Sequence, residues 1–583
     1  MPRHAVLSLA AQAEAAPRRA QSQFEVLVRH LLYRFFHNDL IATDDEARRI
    51  LQLAYAVALP GLLFAMFLFP KYHAFPPYPL HRPFWDQASD HYFFVMYSFV
   101  LMGAATVYEW DLFFPDLLDI FVLSILPIPS RRLFLARVTA LALFLTVVLI
   151  GTSGLGIIAF PMVAGEHSLI RLFYAQSISV LMSGLFAAAS LLALQGLLLN
   201  TVGEHLFRRI TPLLQGACVM TFLAILLLYP TVSPALQPLL NSGSHAIYFF
   251  PPFWFLGVYE RLLAGPATLP IFTTLARTAT IALSATLAST LLTYPLAYRR
   301  RVRRLIEGSA AVANPTFTTS PTHHLLHTTI IRTPAKRATF HFIAQTVLRY
   351  QRQRVVLAMA GGLAISIALA NMLILHIAPG HIHPSLVPSG IRAAVPIIVF
   401  WTVVGLRSVL AAPVDPRGAW LFSVLIGRPR PAHLAGARTW ITLWAALAGI
   451  ITALTLYTIA PIHKPLFLAT QLLVAIASAL ILTDLFLYPT RTIPFTHQHK
   501  GSITDLPLAV LRYFILFPVG IAILIDVERS IEATIPAFIK AILFFAITHL
   551  VLQAALTRSL AQSTLETPPN DSEDFPQSLG LRA

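Results

Sequence analysis

Twelve stretches of about 20 mostly apolar residues set the terms for this chain, because that is the length a helix needs to cross a bilayer. They fall at roughly 51–70, 91–109, 137–161, 174–200, 212–230, 271–297, 355–377, 391–410, 438–460, 466–489, 507–526 and 535–556. In hydrocarbon every backbone N–H and C=O must be satisfied by protein, so runs of this length become helices. The expected fold class is all-α: a polytopic integral membrane protein with about 12 transmembrane helices. Composition agrees, since 56% of the 583 residues are hydrophobic and 12% are charged, whereas a soluble domain carries about a quarter charged residues.

The formal net charge is +16. The basic residues sit between the apolar runs, where lipid headgroups and topology account for them, so no nucleic-acid partner is expected. An even number of spans puts both termini on one side. "RRVRRLIEG" after the sixth span, "RYQRQR" before the seventh and the arginine-rich first 50 residues put that side in the cytoplasm of an inner or plasma membrane. The expected organisation is a cytoplasmic N-terminal segment (1–50), a first six-span half (51–298), a basic cytoplasmic linker (299–354), a second six-span half (355–557) and a polar cytoplasmic tail (558–583). The N-terminus lacks a continuous apolar core ahead of a cleavage site, so no cleaved signal peptide is expected. Cys218 is the single cysteine, which excludes an intrachain disulfide and a thiolate metal cluster. The segment "SHAIYFFPPFWFLGVYERLLAG" is apolar but broken by Pro251 and Pro252, and reads either as a re-entrant or interfacial element or as an external loop packed on the bundle.

The halves carry a degenerate repeat. "VLSILPIPSRRLFLARVTALAL" (Val122 to Leu143) and "LFSVLIGRPRPAHLAGARTWITLW" (Leu421 to Trp444) each follow the second span of their half. With Ser124 set against Ser423, Arg137 meets Arg438 after a short insertion. Two six-helix pseudo-repeats of the same topology imply a parallel pseudo-twofold about the membrane normal. In the first copy Pro127 and Pro129 stop the preceding structure and Ser130 offers an N-cap. "RRLFLARV" then predicts a short amphipathic surface helix, with Leu133, Phe134 and Val138 near one face. Such a turn is either a positive-inside anchor or a docking surface; the repetition and the acidic lead-in "EWDLFFPDLLD" favour docking.

At these residues the chain resembles the transmembrane permease subunits of ABC transporters, specifically the type-2 exporter permease family, in a fused or duplicated twelve-span form. "LPIPSRRLFLAR" resembles that family's coupling helix closely and "GRPRPAHLAGAR" loosely, while "YFFPPFWFLGVYERLLAG" is similar to its broken hairpin between spans 5 and 6. The resemblance implies alternating access driven by a separate ATP-binding cassette ATPase subunit, with an unknown substrate. It implies that Arg131, Arg132, Leu133, Phe134 and Arg137 meet that subunit, with Arg428, Arg430 and Arg438 as a second set. The chain departs from the family pattern in holding both halves, in losing the "LP" of the second copy and in showing no re-entrant pattern before span 12.

ATP would be held by the partner. A phosphate-cradling loop needs G-x-x-x-x-G-K-[ST], which this sequence lacks, and "GTSGLG" in span 3 reads as close helix packing. Asp484 in "LILTDLFLYP" lies deepest in an apolar run, as a proton or cation site or as the partner of a span-end arginine. Asp526 and Glu528 fall at the outer end of span 11, and Arg407 snorkels to the inner surface. The histidine groups His323, His324 and His327, His381 and His383, and His497 and His499 lack converging acidic companions and predict no metal site. The acidic set Glu109, Asp111, Asp116 and Asp119 accompanies no hydrolase motif, so no catalytic residue and no resident cofactor are expected. The alternative to a permease is a secondary carrier or a non-transporting membrane scaffold.

Overall fold

The computed structural model describes residues 22–36, 46–73, 82–115, 127–165, 168–202, 204–306, 331–378, 381–411, 431–459, 464–487 and 515–562, with positions 120, 123, 327–328 and 494–495 besides. The helices, in chain order, are α1 (Gln23–Phe36), α2 (Glu46–Tyr72), α3 (Phe84–Tyr108), α4 (Ser130–Ala164), α5 (Leu169–Thr201), α6 (Glu204–Leu227), α7 (Pro251–Ala264) and α8 (Pro270–Ile306). Then come α9 (Pro334–Arg349), α10 (Gln351–Met372), α11 (Pro388–Ala411), α12 (Pro431–Ile459), α13 (Pro465–Leu487), α14 (Phe517–Ala533) and α15 (Ile535–Gln562). Ten of these are long and apolar enough to cross a membrane. The protein is therefore a multi-span, essentially helical membrane protein, with ten such helices among the described residues in place of the expected twelve. The first expected span lies within the 27-residue α2, whose stretch Leu59–Tyr72 is apolar. Of span 11, residues 507–514 lie outside the described residues, and α14 starts at Phe517.

The fold is all-helical among the described residues but for one hairpin. Between α10 and α11 the chain forms an antiparallel hairpin, β1 (Leu373–Ala378) and β2 (His381–Leu386), with His376 opposite His383. An apolar run that the sequence reads as the end of span 7 has left the helix at Leu373 and continues as the strand "LILHIA".

The compact units do not follow the sequence halves. One comprises Met1–Phe207 with Ser244–Ala311, the other Arg208–Gly243 with Val312–Ala583. In the first, α5 lies against α3, α4, α7 and α8. Small and hydroxylic residues allow this close approach: Ser98 Oγ donates to Val180 O at 2.9 Å, Ser183 Oγ to Val95 O at 3.0 Å and Ser153 Oγ to Ser98 Oγ at 3.0 Å. A Cβ on Gly257 would lie 2.6 Å from Leu275 Cβ, so α7 can seat on α8 only as glycine there. Of the "GTSGLG" glycines only Gly156 is held tightly, with Phe94 3.1 Å from where its Cβ would be.

In the second unit α6 crosses α10 at a seam of small residues. Ser366 Oγ donates to Met220 O at 2.7 Å, and a Cβ on Gly362 would lie 2.6 Å from Gly216 O. Helix association in lipid depends on such backbone approach. Gly362→Leu is expected to part α6 from α10 and lower stability by about 2 kcal/mol, read as a fall in melting temperature in detergent; an unchanged melting temperature refutes the seam. Elsewhere the outer faces are apolar: Leu543, Phe544, Ile547, Leu550 and Val551 of α15 are all exposed, as a lipid-facing helix requires.

Candidate functional site

At about 1.5 Å per residue, the 35-residue α4 is about 50 Å long against a hydrocarbon core of about 30 Å. The arginine turn is the start of this helix and not the separate amphipathic helix expected. Pro129 occupies the N-cap and Ser130 is the first helical residue, so the expected Ser130 cap is corrected too. The Pro129 carbonyl takes the amides of Arg132 (2.9 Å) and Leu133 (3.2 Å). Arg131 and Arg132 are exposed. Leu133 and Phe134 are half-buried, Phe134 with its ring 5.0 Å from that of Tyr298 near the end of α8. This places the exposed Arg131 and Arg132 at the same end of the first unit as Arg299 and Arg303, which are also exposed.

Arg137 has another position. It is buried, and its Nη2 donates to the carbonyls of Leu112 (2.8 Å) and Phe114 (2.7 Å), just past the end of α3. Two further side chains hold the same segment: Tyr294 Oη of α8 donates to Phe113 O at 2.7 Å, and Gln195 Nε2 of α5 to Trp110 O at 2.8 Å. The carbonyls of Trp110, Leu112, Phe113 and Phe114, in and just after the 3-10 turn that follows α3, are thus taken by side chains of α4, α5 and α8. The exit of α3 is fixed to the start of α4 by a guanidinium. The amphipathic α1 covers this junction, with Leu27 and Leu31 in one cluster with Phe113, Phe114, Ala136 and Tyr294.

Of the second set, Arg428 and Arg430 lie outside the described residues. Arg438, in α12, is paired to Asp484 of α13, and His549 Nδ1 of α15 lies 2.7 Å from the other carboxylate oxygen. The arginine-partner reading of Asp484 thus describes its setting: the carboxylate is buried between a guanidinium and an imidazole. On the neighbouring α9, burial first and the Arg438 charge second lower the Lys336 pKa. Removing one member of such a pair costs roughly 3–5 kcal/mol because the other charge is left alone. Asp484→Ala is expected to lower the melting temperature sharply, and Asp484→Ala with Arg438→Met to recover part of the loss; a double variant no better than the single would break the assignment. His327, outside the spans, has Nε2 2.8 Å from Nε2 of His341.

Sequence reasoning missed a network at the opposite end of α3. Arg82 Nε and Nη2 hold Asp90 at 2.7 and 2.9 Å, and Tyr72 Oη donates to Asp90 Oδ2 at 3.0 Å. Partial burial works against the charge on Arg82, but the hydrogen bonds and charge of Asp90 outweigh it and raise its pKa. The next residue, His91, has Nδ1 2.7 Å from Glu260 Oε1 on α7, with both side chains buried. The His91 ring stacks on Tyr259 at 4.1 Å and meets Phe160 edge-on at 5.6 Å. In the second unit Arg392 Nη2 of α11 bonds Glu532 of α14 at 2.9 Å, and Gln471 Nε2 of α13 donates to the buried Glu528 at 2.7 Å. The signal was present in "FWDQASDHYFF" and "WFLGVYERLL", where carboxylates interrupt apolar sequence at a cost that requires partners.

The site therefore belongs to a multi-span membrane protein with charged residues buried in its bundles. No known protein family, curated protein or solved structure matches this chain.

Proposed function

We propose that the protein is the permease subunit of an ABC-type exporter, two six-span pseudo-repeats that alternate access under the action of a separate ATPase. The observation that carries this reading is the mounting of the arginine turn. Arg131 and Arg132 are offered to solvent on the tip of a long helix whose root, through Arg137, grips the exit of α3, while α5 and α8 grip the same segment. A push on that tip moves four helices together, as a coupling element must.

Helix packing supports the repeat. In the first unit α1 packs on α4, α3 on α4 and α5, α4 on α5, α7 on α3, α5 and α8, and α5 on α8; in the second, α9, α11, α12, α13, α14 and α15 pair in the same scheme. The main difference is that α2 packs chiefly on α4, whereas α10 packs on α11. Arg137 and Arg438 then hold equivalent places, each tying the third helix of its unit inward. The basic end of each unit is cytoplasmic by charge bias, where anionic lipid headgroups also meet it. The buried His91 and Glu260 give the secondary-carrier alternative one specific support, since intramembrane ionisable residues mark ion pathways as well.

The deciding experiment is purification of the tagged chain from its native membrane in mild detergent, with identification of co-purifying proteins and an ATP hydrolysis assay. A stoichiometric ATP-binding subunit is expected. A chain that purifies alone, under conditions that keep other membrane complexes whole, overturns the permease reading in favour of a carrier or scaffold.

A further inference from the structure

Two short helices, far apart in sequence, carry the same device. α7 ends in Tyr259-Glu260-Arg261-Leu262-Leu263-Ala264 and α14 in Val527-Glu528-Arg529-Ser530-Ile531-Glu532 followed by Ala533, and a Phe-Pro step opens both, Phe250-Pro251 and Phe517-Pro518. In both the glutamate is buried, the following arginine is exposed and the third residue after the glutamate, Leu263 or Ile531, is buried again. Each packs on the second and fourth long helices of its unit and leads into the last, α7 through the turn at Gly265 and α14 through Thr534. Both lie at the end of their unit away from Arg137 or Arg438. α14 is thus the counterpart of α7 that the sequence pattern did not reveal.

The fastenings of the two helices differ. α14 is tied to the start of α11 by Arg392, whose guanidinium bonds Glu532 at 2.9 Å. α7 is tied to the start of α3 by His91, at 2.7 Å from Glu260. A guanidinium stays charged throughout the range in which proteins fold, whereas an imidazole gives up its proton near neutrality. We propose that His91 and Glu260 form a proton-binding site that latches α7 onto α3.

The surroundings explain why one proton decides the matter. With one proton the pair is neutral; without it a carboxylate is left buried against a neutral ring, and a lone buried charge is strongly destabilising. The other ionisable groups facing the pair cannot replace that proton. From α3 there is Asp90, whose charge is matched by Arg82 and which also takes the hydrogen bond of Tyr72 from α2. From α7 there is the phenol of Tyr259, stacked on the imidazole, from α4 the ring of Phe160, and from α5 Arg171, whose Nε donates to Leu262 O of α7 at 3.2 Å. Raising the pH therefore frees the Glu260 face of α7 from α3. This holds whether or not an ATPase drives the protein.

The test places a single cysteine at Leu263 in a Cys218→Ala chain and follows labelling by a membrane-impermeant maleimide. Initial rates are taken between about pH 6 and about pH 9 and normalised to the denatured protein at each pH. Leu263→Cys is expected to label about tenfold faster or more at the alkaline end, as a local opening would allow. His91→Arg should make Leu263→Cys slow throughout. A Leu263→Cys rate that ignores pH, or one that still follows pH in His91→Arg, overturns the proposal. Monodisperse elution confirms folding, and if His91→Arg fails to fold the Glu260→Gln chain decides: a Leu263→Cys rate that still follows pH there counts against the latch.

Discussion

On the permease reading, the Arg131→Glu/Arg132→Glu double variant is expected to insert and melt like the native chain but to lose the proposed ATPase subunit and the transport it would drive. Both side chains are exposed and neither holds another helix, so the fold should change by no more than about 0.5 kcal/mol. At an acidic docking surface, two reversals place like charges together, and juxtaposition of that kind costs several kcal/mol. A loss of about 100-fold in affinity for the partner follows, at 1.4 kcal/mol for each factor of ten. Quantitative pull-down from membranes measures it, with thermal melting of the purified chain as the control. Native recovery of the ATPase by the double variant removes the coupling role from these arginines and returns them to topology.

Arg137→Met is expected to do the reverse, lowering stability strongly while leaving the docking charges untouched. Methionine fills much of the space but donates nothing, so the carbonyls of Leu112 and Phe114 lose the guanidinium in a buried setting. Hydrogen bonds to a charged group contribute about 1.5–3 kcal/mol each. Relief of the buried cation's desolvation offsets part of that, leaving a loss on the order of 3 kcal/mol. Melting in detergent should fall clearly for Arg137→Met and not for the double reversal. If the two variants melt alike, Arg137 is not the clamp between α3 and α4.

The comparison of these arginines shows what the sequence made legible and what it hid. Long apolar runs declare themselves because lipid forces each to satisfy its own backbone. The extent of α4 did not show, since a helix that continues beyond the bilayer need not stay apolar, and "SRRLFLAR" reads equally well as a separate surface helix. The role of Arg137 was hidden for a related reason: its spacing from Arg131 and Arg132 suggests one basic patch, and only the fold shows it turned inward to carbonyls more than 20 positions earlier. The partners His91 and Glu260 are 169 residues apart, and no local pattern joins them. Asp484 was legible as a costly charge and Arg438 as a basic turn residue, but not as each other's partner. The break at Leu373 was hidden by a short apolar run, which suits a strand and the end of a helix alike.

The assignment of α6 to the second unit has a bearing on how the chain is made. Gly216 and Met220 emerge from the ribosome more than a hundred residues before Ala358, Gly362 and Ser366, the residues they rest against. During synthesis α6 must therefore wait, inserted but unmated, while α7, α8 and the basic linker are laid down. The first unit can close without it, because Ser244–Ala311 returns to the earlier helices. A break in the linker would leave an N-terminal fragment holding one helix that belongs with the other piece. Coexpressed fragments should then find one another through that helix, and the shorter N-terminal fragment alone should depend on membrane chaperones to shield it.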